Sequence, residues 1–186
     1  MNPSWSFRAR RLSMADDLRL QRRCQALFDS LVLPTAITVS DLIKTISEQR
    51  GCSVRLVALP GFKVPGSACG VAIITDDGIV VAVERATDPT HQKHISFHEL
   101  AHLLFGHRHQ TVGLSDDRLN QLAPTVGVDR SRWHLVQARG NYDQVEEREA
   151  EALGTLLLAR SFEPAATVTI DSPVLRGLST VLGGRG

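Results

Sequence analysis

His98-Glu99-Leu100-Ala101-His102 is the stretch on which the reading of this chain turns. On an α-helix, positions i and i+4 share a face about 6 Å apart, so both imidazoles can reach one tetrahedral metal ion. Glu99 lies about a hundred degrees round from His98, which suits a side chain that leans past the metal to its water and acts as base, not ligand. Outward from the motif, Asp88-Pro89 reads as an N-cap with proline at the first helical position. No helix breaker follows until Gly106, which suits the residue just past a helix end. The spacing therefore predicts a helix over 89–105 that carries the motif. The plain alternative for the two histidines is a pair of hydrogen-bonded core side chains.

A catalytic zinc usually takes three protein ligands and keeps a fourth position for water, so a third ligand is needed. His107 follows His102 by five residues, out of register with the glycine-three, histidine-six pattern of metzincins. The other source is the acidic run Glu146-Glu147-Arg148-Glu149-Ala150-Glu151, near the start of a second helical stretch over 143–159 whose Ala150, Leu153, Gly154 and Leu157 are spaced as a buried face. Glu147 and Glu151 stand one turn apart. One can bind the metal while the other accepts the free N–H of a liganding histidine.

The remaining chain reads as a small mixed domain. Residues 13–33 form an amphipathic helix with Leu20, Cys24, Leu27, Phe28 and Leu31 on one stripe, Ser13 and Asp16 as a capping box and Pro34 as the stop. Residues 38–50 give a second helix that buries Leu42, Ile43 and Ile46 and ends at Gly51. Three short β-branched runs follow, at 54–59, 71–75 and 79–83, and Asp77-Gly78 suits a tight hairpin turn between the last two. The stretch from Thr111 to Asn141 is polar and weakly periodic, which reads as an ordered lid or a partner-binding loop. A single domain over 13–162 is expected, flanked by tails at 1–12 and 163–186.

Composition removes several function classes. Lys+Arg number 21 against Asp+Glu 20, a formal charge of +1, which gives no global attraction for nucleic acid or an anionic membrane. The arginines at 8, 10, 11, 19, 22 and 23, offset by Asp16 and Asp17, read as a solvated helix face, with a grip on DNA or an acidic partner as the alternative. Cys24, Cys52 and Cys69 form no Cys-x-x-Cys pair, so neither a disulfide framework nor a thiolate zinc site is suggested. No run approaches the roughly 18 apolar residues of a membrane helix, and the N-terminus lacks a secretory apolar core. A soluble, cytoplasmic protein is expected.

His98 to His102 followed by Leu103-Leu104-Phe105-Gly106-His107, with Glu147-Arg148-Glu149-Ala150-Glu151 leading into Leu153-Gly154-Thr155-Leu156-Leu157, resembles the ImmA/IrrE family of bacterial and phage zinc metallopeptidases. The prelude His91-Gln92-Lys93-His94 is similar to an actinobacterial branch. The resemblance covers 42–159 in element order and is specific in the two metal helices; the second ends Leu157-Leu158-Ala159-Arg160 where members often have Leu-Met-Pro. It implies an α+β, zincin-like fold with N-terminal helices and a small, mainly antiparallel sheet. It also implies Glu147 as third ligand, with Glu151 behind a histidine where Asp or Asn is commoner. The substrate it implies is a helix-turn-helix repressor cut in transcription regulation, often in a stress response.

The expected protein is thus a Zn²⁺ endopeptidase with metal ligands His98, His102 and Glu147, base Glu99, a protein substrate and no direct nucleic-acid or membrane partner. His94, one turn before His98, could line the cleft, and Tyr142 could stabilise an oxyanion. The run Cys69-Gly70-Val71-Ala72-Ile73 is the expected edge strand for an extended substrate. The alternative from another class is a non-catalytic zinc-containing regulator or toxin-system component that binds a repressor. Its metal would be sealed by a fourth ligand from His94 or His107.

Overall fold

The computed structural model describes residues 14–59, 70–86, 88–107, 116–138 and 144–162. The expected tails, Cys69 and Tyr142 lie outside them. In chain order the described elements are α1 (Met14–Asp29), α2 (Val39–Arg50), β1 (Val54–Leu59), β2 (Gly70–Thr75), β3 (Gly78–Glu84), α3 (Pro89–Phe105), α4 (Asp116–Val126), β4 (Trp133–Ala138) and α5 (Gln144–Arg160). The fold is α+β with a four-stranded mixed sheet in the order β1-β3-β2-β4. β2 runs antiparallel to both of its neighbours, whereas β1 runs parallel to β3.

Local chemistry accounts for the element ends. Thr38 caps α2 in a capping box, its hydroxyl accepting from the Asp41 N–H at 3.1 Å while Asp41 accepts from the Thr38 N–H at 2.9 Å. α1 stops at Asp29, four residues before the expected end, because the Ser30 hydroxyl takes the Leu27 carbonyl at 2.6 Å and competes with further helix. The β2–β3 turn residues are Asp76 and Asp77 and not Asp77-Gly78; Gly78 already pairs with Thr75. Glycine is required there because φ is 129° and a Cβ would lie 2.1 Å from the Ser53 carbonyl oxygen.

Strand alternation sends side chains to two separate cores. Ala72, Val81 and Val83 pack on one face with Leu42, Ile46, Phe97, Leu100 and Leu153 from the helices. Val71, Ile73, Val80 and Ala82 pack on the other with Leu119, Leu122 and Val126 of α4 and with Trp133 and Val136. The segment 111–141 is therefore not a lid throughout, since α4 closes the second face of the sheet and β4 extends it. Its signal is faint because α4 presents a narrow stripe of three apolar residues and carries Pro124.

The expected substrate edge is also corrected. β2 is an interior strand, with Val71 paired to Ala82 on one side and Ala138 on the other, so the described part of that run, 70–73, is not a sheet edge. The physical reason is that an uninterrupted apolar run signals a strand covered on both faces but not whether a neighbour pairs along its second side, which β4 does here. No helix among the described residues is long and apolar enough to cross a membrane.

Candidate metal centre

α3 is held as the sequence predicts, with the Asp88 side chain accepting from the His91 N–H at 3.0 Å, Pro89 in the first turn and Gly106 at φ 69°. Every residue from Ile95 to Leu103 is buried, so the His-Glu-x-x-His face looks into protein instead of solvent. α5 lies directly across it. Gly154 makes this approach possible, because a Cβ there would sit 3.1 Å from both N and Cα of His98.

The consequence is convergence of three donors. The Nε2 atoms of His98 and His102 are 3.1 Å apart. Glu147 brings Oε2 to 3.8 Å from His98 Nε2 and Oε1 to 3.7 Å from His102 Nε2. All three donor atoms lie within 4.8 Å of one another, an arrangement able to hold a metal ion. Tetrahedral zinc with bonds of 2.0–2.1 Å needs donors about 3.3 Å apart. The 3.1 Å between the two imidazole nitrogens is close to that value, the Glu147 carboxylate stands somewhat farther off, and two imidazoles with one carboxylate are a donor set that zinc accepts.

Both histidines are fixed from behind, through the nitrogen that faces away from this point. His98 Nδ1 lies 3.3 Å from Glu151 Oε2, as the helical spacing suggested for Glu151. The other oxygen of Glu151 is 3.7 Å from His94 Nε2, which also meets the Thr155 hydroxyl at 3.4 Å. His94 is thus one layer out, behind Glu151. His102 Nδ1 is 2.9 Å from His107 Nδ1, and His107 Nε2 is 2.9 Å from Glu149 Oε2. Neither His94 nor His107 is among the three residues whose donor atoms converge.

Glu99 is 1% exposed and stands outside the ligand group. Its neighbour is Gly70, where a Cβ would fall 2.5 Å from Glu99 Oε1 and 2.7 Å from Cδ. Gly70 therefore contributes space for Glu99 at the start of β2, in place of the expected substrate edge.

Sequence reasoning missed Glu149 and Arg23. The Arg23 guanidinium meets Glu149 Oε1 at 2.5 Å, with the Glu149 side chain 5% exposed. Glu149 stood in the acidic run and Arg23 in the arginine cluster, but only packing of α1 on α5 shows that they pair. Cys24 is buried beside them with Sγ 3.8 Å from the Glu149 carbonyl oxygen. Burial, then the nearby Glu149 charge, pushes its thiol up to about 11 against the opposing pull of Arg23.

No family model, curated protein or solved structure matches this chain.

Proposed function

We propose that this protein is a zinc-dependent endopeptidase of the ImmA/IrrE kind, built on a zincin-like fold. The observation that carries the reading is the convergence of His98, His102 and Glu147 on one point, with Glu99 adjacent in sequence but outside the ligand set. When bound, zinc supplies a Lewis acid that polarises the scissile carbonyl and lowers the pKa of a coordinated water to about 7. Glu99, outside the donor set, would serve as the proton acceptor and then the proton donor to the leaving amine. Gly70 leaves room for that carboxylate, while Glu151 and His107 hold the two imidazoles in orientation.

Among the described strands, the place best suited to an extended substrate is β4. β4 is the edge next to β2, the strand whose first residue backs Glu99, whereas β1 lies two strands away. Main-chain pairing along β4 would read backbone more than side chains. The helix-turn-helix repressor as substrate, and with it a role in transcription regulation under stress, is supported by the family resemblance of the two metal helices.

The test is Glu99→Gln, which keeps size and hydrogen-bonding capacity but removes the base. Wild type and variant are incubated with the helix-turn-helix protein encoded nearest to this chain, and fragments are read by mass spectrometry. We expect one zinc per chain in both proteins and cleavage reduced by at least about 10²–10⁴-fold in the variant. A wild type that holds zinc and binds the repressor yet yields no fragment would replace this reading with a non-catalytic regulator.

A further inference from the structure

We propose that Arg23, Glu149 and His107 form a positioning relay that transmits the docking of α1 to the metal-binding nitrogen of His102. The inference rests on the metal reading above and concerns what sets the strength of that site. One tautomer assignment satisfies every link. His102 presents Nε2 to the metal and donates Nδ1–H to His107 Nδ1 at 2.9 Å. His107 then carries its proton on Nε2 and donates to Glu149 Oε2 at 2.9 Å, and the Arg23 guanidinium donates to Glu149 Oε1 at 2.5 Å.

Each member has a separate reason for its position. Gly106, at φ 69°, reverses the chain so that the His107 N–H reaches the His102 carbonyl at 3.2 Å and the two rings come side by side. Phe105 stacks on the His107 ring at 5.1 Å between centroids and 4° between planes. Arg23 lies over the Phe105 ring at 5.3 Å, so one guanidinium both pairs with the carboxylate and closes the stack. A carboxylate as buried as Glu149 is costly without an opposite charge, and this cation comes from α1. Negative charge delivered through a neutral imidazole strengthens His102 as a donor and fixes its ring. Arg23 is distant in sequence from either metal helix and its side chain is 58% exposed, so it can be changed with little disturbance to the core.

The experiment measures zinc dissociation constants by competition with a chromophoric chelator, visible spectra of the cobalt(II)-loaded protein and urea unfolding of the zinc-free protein. The proteins are wild type, Glu149→Gln, Arg23→Met, Arg23→Lys and Arg22→Met. Expected are zinc binding weakened about 10–100-fold in Glu149→Gln and about 10-fold in Arg23→Met, each with a shifted cobalt spectrum. Arg23→Lys should restore most of the loss. Arg22→Met, which removes an equal charge from an exposed neighbour, should leave both readouts at wild-type values. If Glu149→Gln does not fold, the Arg23 variants decide. Arg23→Met with zinc affinity within about two-fold of wild type and an unchanged cobalt spectrum overturns the relay, as does an equal loss in Arg22→Met. A wild type that holds no zinc overturns the metal reading and the relay together. Zinc held without peptide cleavage overturns the peptidase reading alone, because no readout here depends on cleavage.

Discussion

Gly70→Ala is the change that probes the role proposed for Glu99 without touching a candidate metal donor. An added Cβ would lie 2.5 Å from Glu99 Oε1, 2.6 Å from Cγ and 2.7 Å from Cδ. Ordinary contact begins near 3.5 Å, so the Glu99 side chain must move by about 1 Å. It has no free direction in which to do so, being 1% exposed between strand and helix. Overpacking of this kind costs about 1–3 kcal/mol, or about 2–12 °C in Tm for a domain of this size. In a Glu99→Ala background the obstructing atoms are gone, and Gly70 is not among the positive-φ glycines. There the same substitution should be neutral, or stabilising by about 0.4–1 kcal/mol through the unfolded chain. Urea unfolding of the four zinc-free proteins in the double-mutant cycle should give a coupling energy of about 1–4 kcal/mol. On the proposed peptidase reading, a displacement of Glu99 by about 1 Å in the zinc-loaded protein should reduce cleavage about 10²-fold while zinc binding persists. An equal cost of Gly70→Ala in both backgrounds would refute the placement of Glu99 against the start of β2.

Three further outcomes are expected. His98→Ala and His102→Ala should lose zinc, Glu147→Ala should bind it severely less well, and Glu151→Ala should weaken it about 10–100-fold, all measured by chelator competition; full occupancy in either histidine variant would exclude the donor set. Because its thiol is pushed up to about 11, Cys24 should resist a thiol reagent at pH 8 until the protein is unfolded. Its folded pKa lies above the unfolded value near 9, so its contribution to stability is complete below pH 9 and declines as pH rises through 11; a Cys24→Ala variant should lack that decline. Gly106→Ala should cost about 1–2 kcal/mol for the left-handed conformation and weaken zinc binding by disturbing His107; unchanged urea unfolding would contradict the turn geometry.

The metal helix was legible in the sequence because each of its signals is local. Asp88, Pro89 and Gly106 act within one turn, and the four-residue step from His98 to His102 is the helical repeat itself. The same holds for Gly51 at the end of α2 and for the β-branched strands. Glu151 behind His98 was within reach of the same argument, since it lies one turn from Glu147 on α5. What required tertiary structure was everything that depends on which surfaces meet. An apolar run such as 71–74 reads as a strand, but not as an interior one, until β4 arrives from 133–138 to cover its second side. His107 reads as a ligand out of register until Gly106 turns it behind His102. Gly70 and Gly154 are silent in a sequence, because what they contribute is the absence of a Cβ where Glu99 and His98 press against them. Arg23 and Glu149, 126 residues apart, carry no pattern that joins them; only the packing of α1 on α5 turns two charges remote in sequence into a part-buried pair behind the candidate metal site.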